Sequence, residues 1–158
     1  MSIRIALFEP DIPQNAAAII RTAVCFGLEV EIIEPCGFIW GEKQMLRVGL
    51  DYLEAAKITM HSDWESFQNA YPNSRLILFT TKSEKIYTNF QFDNSDILIF
   101  GRETKGVPSN VHDSVDFRVT IPMKRGARSL NIATAAAIAA SESLRQLEIL
   151  PNIESQET

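Results

Sequence analysis

Five apolar runs of strand length punctuate the chain, at Ile3 to Phe8, Val30 to Ile33, Leu76 to Phe79, Ile97 to Phe100 and Phe117 to Ile121. Several are nearly continuous rather than alternating, the pattern of strands covered on both faces. Between them lie stretches with helical periodicity: Gln14 to Phe26, where Ala17, Ile20 and Val24 share a face, then Trp64 to Tyr71, then Leu130 to Leu147. This alternation predicts an α/β domain, a mainly parallel sheet with helices on both faces. The connections Glu9 to Pro13 and Gly101 to Pro108 follow strands directly. They are therefore expected at the carboxyl edge of the sheet, where open α/β folds hold ligands.

With 158 residues, 46% hydrophobic and 22% charged, one core suffices. We expect a single domain over 1–150 and a flexible tail over 151–158, where apolar residues are few. Charged and polar residues interrupt every apolar stretch, and no basic-then-apolar leader opens the chain, so a cytoplasmic protein without a membrane span is expected. Cys25 and Cys36 are too few for a disulfide framework and are expected as buried thiols. His61 and His112 stand alone, outside any ligand spacing, and no metal is expected. A net charge of −5 argues against a strong, sequence-blind hold on nucleic acid. Yet Gly101 to Arg128 carries six bases (Arg102, Lys105, Arg118, Lys124, Arg125, Arg128) against three acids (Glu103, Asp113, Asp116). That leaves room for a local basic face on an acidic body.

Three segments combine residue types suited to chemistry. Phe100 to Pro108 ends a strand with Gly101, Glu103 and Gly106, and glycine there lets backbone approach a ligand closely or take positive φ. It fits neither GxGxxG nor GxxxxGK[ST], and an ordinary turn would read the same way. Ile121 to Asn131 passes through a basic loop to an Ala-rich helix that Ser129 or Asn131 opens. Such a helix start suits a hydrogen-bonding or anionic ligand, or it is a plain cap. Glu9 to Asn15 enters a helix carrying Arg21, an arginine in apolar company that reads either as functional or as a surface or dimer-rim group.

Together, in this order and at these separations, the segments resemble the three motifs of the SpoU branch of the SPOUT methyltransferases. The first is carried by Asn15 and Arg21, the second by Gly101, Glu103, Gly106 and Pro108, the third by Ile121, Pro122, Met123, Ser129 and Asn131. The likeness runs from Ile3 to about Leu147, with Arg102 standing where some relatives have proline. Glu34 to Phe38 and Gly49 to Tyr52 resemble the minimal subgroup acting on the tRNA wobble ribose.

The resemblance implies a C-terminal deep trefoil knot and S-adenosylmethionine as cofactor, leaving as S-adenosylhomocysteine. It implies 2'-O-methylation of a tRNA ribose at position 34, in the anticodon stem-loop. By position, Phe79, Thr80, Gly101, Ile121, Met123, Ser129 and Leu130 would bind the cofactor. Arg21 would stabilise charge on the attacking oxygen, and Asn15, Ser129 and Asn131 would align the reactants. Glu103 would serve either as a base or as a carboxylate receiving backbone amides of its own turn. Relatives lacking an added RNA-binding domain work as homodimers, and the resemblance therefore implies a homodimer here, no such domain being expected in 158 residues. A nucleotide-binding module without transfer chemistry, a methyltransferase for another RNA position and a knotted RNA binder without catalysis are the alternatives.

Overall fold

The computed structural model describes residues 2–48 and 53–153. Residues 49–52, one of the two subgroup segments, and 154–158 of the tail lie outside the described residues. Strands β1 (Arg4–Phe8), β2 (Glu29–Ile33), β3 (Ile58–His61), β4 (Leu76–Phe79), β5 (Ile97–Phe100) and β6 (Phe117–Val119) form one parallel sheet in the order β3-β2-β1-β5-β4-β6. The continuous apolar runs have the expected cause. Ile5, Leu7, Val30, Ile32, Ile77, Phe79, Leu98 and Phe100 pack on one face; Ala6, Phe8, Ile33, Leu78, Ile97 and Ile99 pack on the other.

Helices α1 (Pro13–Phe26) and α5 (Ile132–Gln146) cover the first face, and α3 (Trp64–Ala70) and α4 (Ser109–Ser114) the second; α2 (Glu42–Arg47) packs Met45 into the first core. Pro13 presets the first turn of α1, and Gly27 at φ 70° closes its end with its amide on the Ala23 and Val24 carbonyls. Asn131, not Ser129, caps α5: its Oδ1 accepts from the Ala133 and Thr134 amides at 2.9 and 3.2 Å. Small residues Ala136, Ala139 and Ala140 are fully buried and let α5 lie close on α1 and β5.

Three expectations need correction. Ile58–His61 is a strand that the apolar runs did not mark, because an edge strand half open to solvent needs apolar residues at alternate positions only, here Ile58 and Met60. The run Phe117 to Ile121 pairs only to Val119: β4 ends at Phe79, and Thr120 bridges Ile86 instead. Cys25 is exposed and Cys36 half-buried, so neither is the core thiol expected.

Beneath α3, the fully buried Glu31 accepts hydrogen bonds from Arg4 (3.0 Å), His61 Nε2 (2.6 Å) and the Tyr71 hydroxyl (2.6 Å). Burial, and then the bond to Glu31, push the Tyr71 phenol up to about 12. Tyr71, which makes this contact, stands outside helical geometry at φ −130° and ψ 60°, so α3 ends one residue before the apolar pattern does. These groups do not line the cavity described next and tie β1, β2, β3 and α3 together.

Candidate active site

Of the strands meeting at the centre of the sheet, β1 leads to α1 and outward toward β2, while β5 leads to α4 and the opposite edge. The crevice between their carboxyl ends is where open sheets usually hold a ligand. Here it is bridged. The Arg102 guanidinium lies 3.6 Å from Glu9 and over the Phe8 ring, the Asp11 amide donates to Glu103 Oε2 at 3.1 Å, and the Thr104 hydroxyl donates to Asp11 Oδ2 at 3.0 Å. Glu9 takes φ 45°, a left-handed conformation costing a non-glycine residue about 1–2 kcal/mol, and its amide is held by the Ile33 carbonyl at 2.8 Å. From the other side Gly37 backs Asp11 so closely that a Cβ would stand 2.6 Å from the Asp11 Cβ. Beside it, burial, and then the carboxylates of Glu34 and Glu9, push the Cys36 thiol up to about 11, which leaves it unsuited to nucleophilic work.

The open space lies over the ends of β4, β5 and β6, as a cavity of about 800 Å³. Phe79, Phe100, Ile121, Met123, Leu130 and Ile132 give it an apolar wall. Gly101 and Gly106 form a second wall of bare backbone, closed by mutual amide-to-carbonyl bonds between Arg102 and Gly106 at 3.0 and 2.9 Å. At the rim, the Asn131 side-chain amide donates to Asn15 Oδ1 at 3.1 Å, joining segments 116 residues apart. Lys82 and Lys105 add positive charge, and the exposed loop holding Lys124, Arg125 and Arg128 follows Met123. None of these five cations makes an ion pair with a described residue, whereas Arg4, Arg75 and Arg145, away from the cavity, are each paired with carboxylates.

Asn15, Phe79, Thr80, Gly101, Glu103, Ile121, Met123, Ser129, Leu130 and Asn131 all line this cavity. Arg21 does not: it is exposed on α1, six residues beyond Asn15 and so about 9 Å further along the helix axis. Glu103 does receive a backbone amide, but that of Asp11 on the neighbouring loop rather than those of its own turn. Sequence reasoning passed over Ile12, Lys82, Thr104 and His112, which also line the cavity. Ile12 and Thr104 lie in the two connections expected at the carboxyl edge, and Lys82 stands three residues beyond a strand end; His112 comes from the next helix, which carries no apolar period. Among the described residues no group of His, Cys, Asp and Glu is disposed to hold a metal ion, and no helix is long and apolar enough to cross a membrane.

Comparison with known proteins places this geometry. Residues 2–141 match the SpoU rRNA Methylase family, and the chain belongs to it. A tRNA (cytidine(34)-2'-O)-methyltransferase of Ancylobacter novellus is 43% identical over 148 residues, covering 92% of this chain and 94% of that one. A solved structure concerned with the 2-OH methylation of C/U34 on tRNA superposes with a TM-score of 0.87 at 34% identity, over 93% of this chain and 97% of that one. The SpoU methyltransferase AviRb of Streptomyces viridochromogenes, solved with the cofactor AdoMet, shares the fold (TM-score 0.84, 22% identity, 95% of this chain and 59% of that one).

Proposed function

We propose that the protein transfers a methyl group from S-adenosylmethionine to the 2'-hydroxyl of the wobble nucleotide, cytidine or uridine 34, of tRNA. The carrying observation is the Asn131–Asn15 pair on the rim of an apolar cavity, in a chain 43% identical to a tRNA (cytidine(34)-2'-O)-methyltransferase. S-adenosylmethionine fits the lining: Phe79, Ile121, Met123 and Leu130 suit an adenine, and the bare backbone of Gly101 and Gly106 suits recognition by amides and carbonyls. When bound, this cofactor supplies a methyl group on a sulfonium that departs as a neutral thioether.

What the chain must do is align a weak nucleophile and stabilise charge on it. Asn15, Ser129 and Asn131 hold the reacting ribose at the cavity rim. Arg21 stabilises the developing oxyanion; a guanidinium is a poor base, so its role is electrostatic. Since Arg21 does not line its own chain's cavity, it serves the cavity of a second copy, which makes the working form a homodimer with α1 and α5 at the interface. Lys82 and Lys105, with Lys124, Arg125 and Arg128, meet phosphates of the anticodon stem-loop. The single domain spans 1–150. We further propose that the return from β6 at the sheet edge to α5 at its centre is threaded into the family's trefoil knot, and that the protein acts in the cytoplasm.

Mass mapping of nucleosides in bulk tRNA treated with the purified protein and S-adenosylmethionine tests the reaction. A 2'-O-methylated pyrimidine at position 34 is the expected product; label in the D-loop, or on a base, would overturn the substrate assignment. Asn131 provides a finer check, because its cap and its bond to Asn15 use different atoms. Asn131→Asp keeps the cap but cannot donate to Asn15, so thermal stability should hold while turnover falls about tenfold. Asn131→Ala should lose turnover and about 1 kcal/mol of stability as well. Thermal melts and initial rates separate the two, and parental turnover in Asn131→Asp would remove Asn131 from the site.

A further inference from the structure

We propose that Asp11 and Thr104 are positioning residues that lock the backbone wall of the cavity to the start of α1. The inference rests on the methyl-transfer reading and goes beyond it by naming two residues that act through the wall and the helix start they join, Asp11 from behind the cavity and Thr104 from its lining.

Three successive residues of the loop after β5, Arg102, Glu103 and Thr104, each reach the loop after β1, to Glu9, the Asp11 amide and the Asp11 carboxylate. One end of this clasp is the Gly101–Gly106 wall, and the other leads within four residues from Asp11 to Asn15 on α1. Asp11 is the hub. It donates through its backbone and accepts through Oδ2, and Gly37, whose own amide is held by the Pro10 carbonyl at 2.9 Å, presses on it from behind. The other carboxylate oxygen, Oδ1, is buried with no hydrogen-bond partner among the described residues. The two bonds of Asp11 and the close approach of Gly37 fix where the residue stands. The geometry therefore holds Asp11 at one position and, through it, holds the wall and the helix start in one relative placement. A ligand that orders the wall orders Asn15 by the same bonds, and the coupling is reciprocal.

The test uses the full-length protein, the S-adenosylhomocysteine affinity measured by calorimetry and methyl transfer to an anticodon stem-loop. If the parent itself transfers no methyl group, the functional reading fails and the clasp is judged by affinities alone: S-adenosylhomocysteine should tighten stem-loop binding in the parent and not in Thr104→Val. With an active parent, Thr104→Val removes the donor at an exposed position without changing shape. It should lower kcat at least threefold while the melting temperature stays at the parental value. Thr104→Ser, which restores the hydroxyl, should recover most of the loss. Asp11→Ala should lose as much or more, and the double variant no more than Asp11→Ala alone, since both substitutions break one bond. A smaller fall in Thr104→Val, no recovery with serine, or losses that multiply in the double variant would overturn the proposal.

Discussion

Gly101→Val should fold and fail to bind S-adenosylmethionine. A Cβ on residue 101 would stand 2.6 Å from the Gly106 carbonyl carbon and 2.9 Å from its Cα, distances that backbone atoms cannot relieve without moving the loop. The family resemblance implies that a side chain at this position would fill space the cofactor needs. The structure puts the collision within the loop itself, before any ligand arrives. The two amide-to-carbonyl bonds joining Arg102 and Gly106 then break, and with them the wall against which the cofactor lies. Two such bonds correspond to roughly a thirtyfold or greater loss of affinity. Gly101→Ala should lose nearly as much, because the first carbon already collides; a ligand-space effect alone would spare alanine and penalise valine. Calorimetry on both variants decides, and unchanged affinity in a folded Gly101→Val protein would remove Gly101 from the cofactor site.

Arg21→Ala should lose activity by about a hundredfold or more, the usual consequence of deleting one donor to a developing oxyanion. Cofactor affinity should remain parental, because Arg21 lines no part of its own cavity. Arg21→Lys keeps the charge but not the planar fork, and should recover little. A helix-surface arginine would instead tolerate both changes with normal turnover. Retention of more than about a third of the parental rate, far from the hundredfold expected, would end the catalytic assignment. Mixing inactive Arg21→Ala with inactive Gly101→Val tests delivery across the dimer. Hybrid dimers would hold one site with an intact wall and an intact partner arginine. With random exchange, activity should return to about a quarter of the parental rate. No recovery would assign Arg21 to its own chain.

The parts legible in the sequence were those with a local cause. Continuous apolar runs marked the buried strands because both faces of the sheet are covered, and the shared face of Ala17, Ile20 and Val24 marked α1 because that face packs inward. Most of the residues carrying the family resemblance, Asn15, Gly101, Ser129 and Asn131 among them, come together around one cavity. Three kinds of fact were not legible. Edge strand β3 has too little apolar character of its own to stand out. Asp11 and Thr104 meet across 93 positions, so nothing in either neighbourhood announces the pair. The position of Arg21 outside the cavity depends on where α1 points once it is packed, which helical periodicity leaves open.

The strand order also dictates a schedule. Arg4 of β1 pairs with Ile97 of β5, so the centre of the sheet joins residues 93 apart, while β2 can pair with β1 as soon as both exist. A ribosome adding about 5–20 residues per second leaves one edge of β1 without its neighbour for roughly 5–20 seconds. Through that interval the apolar faces of β1 and β2 are covered at most by α1, α2 and α3, with α4 and α5 still unmade. The nascent chain is then most exposed to wrong pairing along the open edge of β1, and completion of the sheet waits for its second half.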